Sequence, residues 1–202
     1  MRNSTPSNPH DFVDKLIARW ADECPQLDVQ STHVVGRMLR LGYFSTRMED
    51  AVLERYGLHI GEFNLLAALR RAGAPYELPP NQLQGFLLVS SSALTHRIDQ
   101  VEAAGWVKRR PDPTDRRSVQ IRLTRSGKQV VDEAIVDVLA CERQILEPLS
   151  SAEQATLSNL LRRLALPIEL RDERPASASK GSSEANASKP ASRRNVPGRS
   201  RS

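Results

Sequence analysis

Apolar residues recur at helical spacing through most of the chain, and the period changes only once. After a loose opening, Phe12, Leu16, Ile17 and Trp20 predict a helix with Asp11 as its cap and Pro25 as its stop. Residues 29–56 predict a longer helix with Val34, Met38, Leu41, Met48 and Val52 on one stripe, ended by Gly57. Two short helices follow, over 61–73 and 79–87, the second with Pro80 suited to its first turn. Residues 90–105 predict a helix capped by Ser90 and stopped by Gly105, with Leu94, Ile98 and Val101 facing inward.

The period then falls from 3.6 to 2. Residues 106–110 and 118–123 alternate apolar and polar, and the segment PDPTDRR between them is made of turn formers, which predicts a β-hairpin. From Thr124 a long helix resumes with Val131, Ile135, Val138, Ile145 and Leu149, and Pro148 and Ser150 mark its end. The last periodic segment, 150–167, opens with the capping pair Ser150 and Glu153 and lines up Leu157, Leu160, Leu161 and Leu164. The expected fold is mainly α, with seven helices and a small β-hairpin. Two short helices before a strand pair form the winged helix-turn-helix pattern.

This organisation divides the 202 residues into a disordered start (1–10), an extra helix and a long helix (11–57), a winged lobe (58–123), C-terminal helices (124–168) and a disordered basic tail (169–202). The tail is rich in Ser, Ala and Pro and has too few apolar residues to offset its ordering entropy. Charge changes the picture more than composition does. The net charge is +5, yet residues 1–170 balance at 21 basic and 21 acidic, while residues 86–129 hold nine basic against four acidic. Positive charge concentrated on the predicted wing and recognition segment points to nucleic acid.

Other classes fall away. No apolar run approaches the ~18 residues that span a membrane, and no secretory signal opens the chain, so a cytoplasmic protein without membrane contact is expected. His10, His33, His59 and His96 are isolated, and no nucleophile elbow or phosphate loop occurs, so no catalytic residues, no metal site and no cofactor are expected. Cys24 and Cys141 lack ligand spacing.

The candidate chemistry is that of double-stranded DNA recognition. Ser90, Ser91, Ser92, Ala93, Thr95 and His96 are small or hydrogen-bonding, suited to a helix start entering a major groove, and Arg97 follows them. The serines and the free N–H groups of the first turn suit a phosphate. On the wing, Arg117 is placed to enter a narrow minor groove, Arg116 to meet a backbone phosphate and Asp115 to orient an arginine.

The segment "DPTDRRSVQIRLTRSG" following "SSALTHRIDQVEAAGWVKRR" resembles the MarR family of bacterial transcriptional regulators. The likeness rests on the Asp-x-Arg wing pattern (Asp115, Arg117) and on the Leu-Thr-x-x-Gly step (Leu123, Thr124, Gly127), and it covers residues 11–168. It implies an obligate homodimer with intertwined terminal helices that presents paired recognition helices to a palindromic operator, most often as a repressor. The extra helix with "ARWADECPQLD" is further similar to the PecS and urate-responsive branch. That branch implies a small anionic effector held by a tryptophan, an acid and two arginines, matched here by Trp20, Asn64, Arg97 and Arg109. Asn64 departs from the pattern, because it cannot supply the charged partner of an arginine. The expected pocket keeps two cations without a counter-charge, which suits urate or a more highly charged di- or tricarboxylate. Glu62, an acidic neighbour, is the alternative source of the missing acid.

Each of these residues also has a plainer reading. Trp20 anchors the extra helix in the core, Arg97 and Arg109 contact DNA phosphate, and Asn64 is an exposed helix residue. Regulation by oxidation of Cys24, without a small-molecule effector, is the alternative mechanism, with Cys141 expected to pack in its helix.

Overall fold

The computed structural model describes residues 10–112 and 118–172. The wing residues Asp115, Arg116 and Arg117, and the tail beyond residue 172, lie outside the described residues. The chain forms two units, Met1–Pro148 and Leu149–Ser202.

In the first unit, α1 (Phe12–Glu23) begins at a reciprocal cap. The Asp14 N–H donates to Asp11 Oδ1 at 2.9 Å, and the Asp11 N–H donates to Asp14 Oδ2 at 3.1 Å. The residue it buries is Val13, seated against Gly36 of α2 (Thr32–Leu53), where an added Cβ would stand 3.3 Å from the Val13 methyl. Phe12 and Trp20 are exposed, so Trp20 is no core anchor in this chain. A 3-10 turn, Glu54–Tyr56, tightens the end of α2 and passes into Gly57 at φ 68°, a left-handed position that suits a residue without a Cβ.

The lobe core is built on α3 (Ile60–Arg71), whose residues 65–69 are all buried, with Phe63. Against it pack α4 (Pro80–Leu87) and α5 (Ser91–Ala103). Leu83, Leu94, Ile98 and Val101 enter this core, three of them the inward stripe expected of α5. Ser90 caps α5 as expected, its Oγ accepting the Ala93 N–H at 3.2 Å.

The hairpin is β2 (Val107–Pro111) and β3 (Val119–Leu123), antiparallel with Val107 opposite Leu123 and Pro111 opposite Val119. A third strand was not anticipated: β1 (Glu77–Leu78) pairs with β3, giving the order β1-β3-β2. Two residues lying between Pro75 and Pro79 are too few to show an alternation, so pairing with Arg122 and Ile121 defines this strand rather than its own sequence.

The Leu-Thr-x-x-Gly step acquires a physical reason at the start of α6 (Arg125–Leu146). Thr124 Oγ1 accepts the Gly127 N–H at 3.0 Å and lies 2.8 Å from the Gly105 carbonyl, tying the helix start to the end of α5. A Cβ on Gly127 would fall 2.0 Å from the Trp106 carbonyl oxygen. Only glycine lets α6 pass this close to the strand. Val131, Ala134, Val138 and Cys141 then carry α6 along α2 and α3.

The second unit holds α7 (Ser151–Asp172). Its start is the expected capping pair: Glu153 Oε2 accepts the Ser150 N–H at 2.8 Å, and Ser150 Oγ accepts the Glu153 N–H at 3.4 Å. The helix continues through Pro167 and ends at Asp172, past the boundary at 168. Leu157, Leu160, Leu161 and Leu164 are all exposed, between 37% and 49%.

Candidate nucleic-acid interface

Burial of Leu94, Ile98 and Val101 leaves Ser91, Ser92, Thr95, His96 and Asp99 exposed on α5, with Ala93 and Arg97 half-buried at its sides. The hydroxyls are not equivalent. Ser90 Oγ is committed to its cap and lies 3.1 Å from Ser92 Oγ, while Ser91 Oγ donates to Gln84 Oε1 of α4 at 3.2 Å. Thr95 Oγ1 donates back to the Ser91 carbonyl at 2.9 Å, and the residue stays exposed. Ser92 and His96 are both exposed and lie about one turn apart among the expected reading positions.

The base of the wing is closed by the Asp112 N–H, which donates to the Ser118 carbonyl at 3.0 Å, and by Gln120 Nε2, which donates to Asp112 Oδ2 at 2.6 Å. Lys108, Arg109 and Arg110 are exposed on β2. The hairpin therefore presents a basic strand beside the exposed face of α5.

The four residues expected to hold an effector do not line one cavity beside Arg109. That cleft, about 430 Å³, is lined by Pro80, Asn81, Gln84, Ser91, Leu94, Thr95, Ile98, Val119 and Ile121 together with Arg109, and not by Trp20, Asn64 or Arg97. Arg97 turns back toward α3: an added Cβ on Gly61 would lie 2.7 Å from its Nε. Asn64 stands three residues further along α3 and is exposed. Glu62 Oε2 accepts the His59 N–H at 3.0 Å and so caps α3.

Arg109 is not a cation without a counter-charge. Its guanidinium donates to Asp99 Oδ1 at 2.5 Å and to Glu102, and its backbone N–H donates to Glu102 Oε1 at 2.9 Å. The Asp99 hydrogen bond, with that of Glu102, holds the guanidinium above its ordinary value although burial works the other way. Asp99 and Glu102 were not among the residues singled out from the sequence. The available signal was a pair of acids three apart on a helix inside the most basic segment of the chain.

The cysteines differ. Cys141 packs in α6 as expected, and burial, with Glu49 beside it, pushes its thiol up. Cys24 is half-buried at the end of α1, its N–H donating to the Trp20 carbonyl at 2.8 Å. Among the described residues, no cluster of three or more His, Cys, Asp or Glu is arranged to hold a metal, and no helix is long and apolar enough to cross a membrane.

Comparison with known proteins agrees with this architecture. The MarR family model matches residues 58–119, which is the lobe from the start of α3 into β3. The transcriptional regulator PecS of Dickeya dadantii (strain 3937) is 40% identical over 152 residues, covering 75% of this chain and 92% of that protein. Among solved structures, a mutant MarR from E. coli complexed with operator DNA is similar at TM-score 0.61 and 26% identity, covering 68% of this chain and 99% of that one. A MarR family transcriptional regulator from Streptomyces coelicolor gives TM-score 0.62 at 25% identity, covering 70% and 96%. These relatives are regulators rather than enzymes, in keeping with the absence of a catalytic motif. With the wing step at Thr124 and Gly127 explained by packing and the lobe matched along its length, the chain belongs to the MarR family.

Proposed function

We propose that the protein is a cytoplasmic transcriptional repressor that binds a palindromic operator as a homodimer and is released by a small anion. The observation that carries this reading is the exposed face of α5. Its apolar stripe is spent in the core, its start offers Ser91, Ser92, Thr95 and His96 outward, and a basic strand stands beside it. The solved complex of a similar MarR with operator DNA supports the same use of the lobe. In each half-site Ser92, Thr95 and His96 read the major groove. Arg117 enters the adjacent minor groove, with Arg116 on a phosphate and Asp115 orienting the wing.

Homodimer formation is supported by the unspent apolar stripe of α7 and by Val34, Leu39, Leu41 and Phe44, which are exposed on α2. The effector reading rests on Arg97, which has no hydrogen-bonding or ionic partner among the described residues, and on the neutral Asn64 nearby on α3. An anion that also used Arg109 would have to displace Asp99 and Glu102, which favours a more highly charged ligand over urate.

A gel-shift titration on the duplex upstream of the protein's own gene, alone and with urate or citrate, tests this. A complex that weakens with salt and is released by one anion is the expected result. Absence of salt-dependent duplex binding overturns the reading. A complex that no anion releases removes the effector and shifts regulation to Cys24, to be checked with peroxide and the Cys24→Ser variant.

A further inference from the structure

We propose that Arg109 is a positioning residue for DNA binding: it bolts the recognition helix to the first wing strand and offsets half the charge of two carboxylates that would otherwise repel the operator. The inference rests on the operator-binding reading and adds a role for residues that no DNA contact would single out.

Three observations lead to it. First, β2 is an edge strand, because the sheet order is β1-β3-β2, and an edge strand has backbone groups without a strand partner. The Arg109 N–H is taken by the Glu102 carboxylate at 2.9 Å, so a side chain of α5 does the work of a neighbouring strand. Second, the guanidinium of the same residue binds Glu102 again and Asp99 at 2.5 Å. One arginine thus fixes α5 to β2 at three points, and with it the angle between the helix that reads the major groove and the wing.

Third, the two acids are badly placed for anything else. Glu102 lies in the last turn of α5, where negative charge opposes the helix dipole, and no basic residue of that turn offsets it. Asp99 follows His96 by three residues and remains 57% exposed, on the side of α5 that faces DNA in this reading. Without Arg109, each protomer would turn two negative charges toward the phosphates. With it, the cluster carries a single net negative charge held in fixed geometry.

The test is fluorescence anisotropy of the operator duplex across a salt series, with wild type, Arg109→Gln, the acid pair Asp99→Asn with Glu102→Gln, and all three together. Arg109→Gln is expected to weaken binding by about tenfold, and neutralising both acids in that background to restore only the electrostatic share, by about threefold, because the tie between α5 and β2 stays broken. A merely structural arginine would not be rescued by removing its partners, and an arginine that touches DNA would stay lost. A triple variant as weak as Arg109→Gln, or an Arg109→Gln variant that binds like wild type, overturns the proposal. Should Arg109→Gln fail to fold, the acid pair decides: a steeper salt dependence is expected from the two negative charges removed, and a slope like that of the wild type contradicts it. Failure of the wild type to bind duplex DNA would instead remove the operator reading on which the proposal stands.

Discussion

Leucine meets two different fates in this molecule. On α3, Leu65, Leu66 and Leu69 are fully buried among α5, β3 and α6. On α7, Leu157, Leu160, Leu161 and Leu164 follow an equally regular helical spacing and remain substantially exposed. The patterns would both be read as one apolar face, so the difference is not in the helices but in what each has to pack on. The α3 leucines are enclosed because four helices, α2, α4, α5 and α6, and a sheet surround α3. A single helix in its own unit has no such enclosure. In the proposed homodimer that stripe gains its burial free energy from a second copy, which would make the α7 leucines the dimer-forming counterpart of the α3 leucines.

That contrast can be broken most sharply by matched truncations. Leu69→Ala is expected to cost about 2–5 kcal/mol of lobe stability, as for other fully buried leucines, and to lower the melting temperature equally at every protein concentration. Leu160→Ala with Leu164→Ala is expected to cost a similar amount only in the dimer, so that the loss appears as dissociation in sedimentation velocity and grows on dilution. Concentration-independent destabilisation by the α7 pair would show that these leucines pack within one chain after all.

Gly127→Ala probes the junction between lobe and α6. The added methyl meets a backbone carbonyl that cannot rotate away, so a loss of about 1–3 kcal/mol or more is expected by thermal melting. An unchanged melting temperature would mean that α6 has room to shift and that the wing step does not depend on glycine.

A smaller effect is expected at the contact between α3 and α6. Hydrogen bonding from Lys128, then from Arg70 at 2.6 Å, holds the Asp132 carboxyl below its ordinary value. A carboxylate with a depressed folded pKa stabilises fully above its unfolded value of about 3.9 and loses that contribution as the pH falls through the folded value. Asp132→Asn should therefore flatten the acid limb of a stability–pH profile below about pH 4 and leave its shape near neutrality unchanged. An acid limb identical to wild type would assign the loss to other carboxylates.

Much of this was legible in the sequence because it depends on neighbours in the chain. The caps at Asp11, Ser90 and Ser150, the inward stripe of α5 and the two hairpin strands all come from interactions within a few residues. What could not be read came from longer range. Strand β1 exists because Arg122 and Ile121 lie across from it, more than forty residues away. Val13 rather than Trp20 enters the core because Gly36 leaves a hollow of one methyl's depth on α2. Gly127 was visible as part of a pattern, but its reason, the Trp106 carbonyl, is set by a tertiary crossing. Arg109 was read as a cation awaiting an anion, whereas its partners Asp99 and Glu102 are brought up by the turn from α5 into β2. At Gly127 and Arg109 the residue was noticed and its partner supplied by the fold, whereas β1 and Val13 went unnoticed.

In the proposed assembly two copies, joined through their terminal helices, present two copies of α5 to one operator. Native mass spectrometry of the protein with the duplex upstream of its own gene measures this stoichiometry directly. Two chains on each duplex, lost together when the α7 leucines are truncated, is the predicted result. A single chain held on the duplex with wild-type affinity, or a dimer with no affinity for it, would contradict the account.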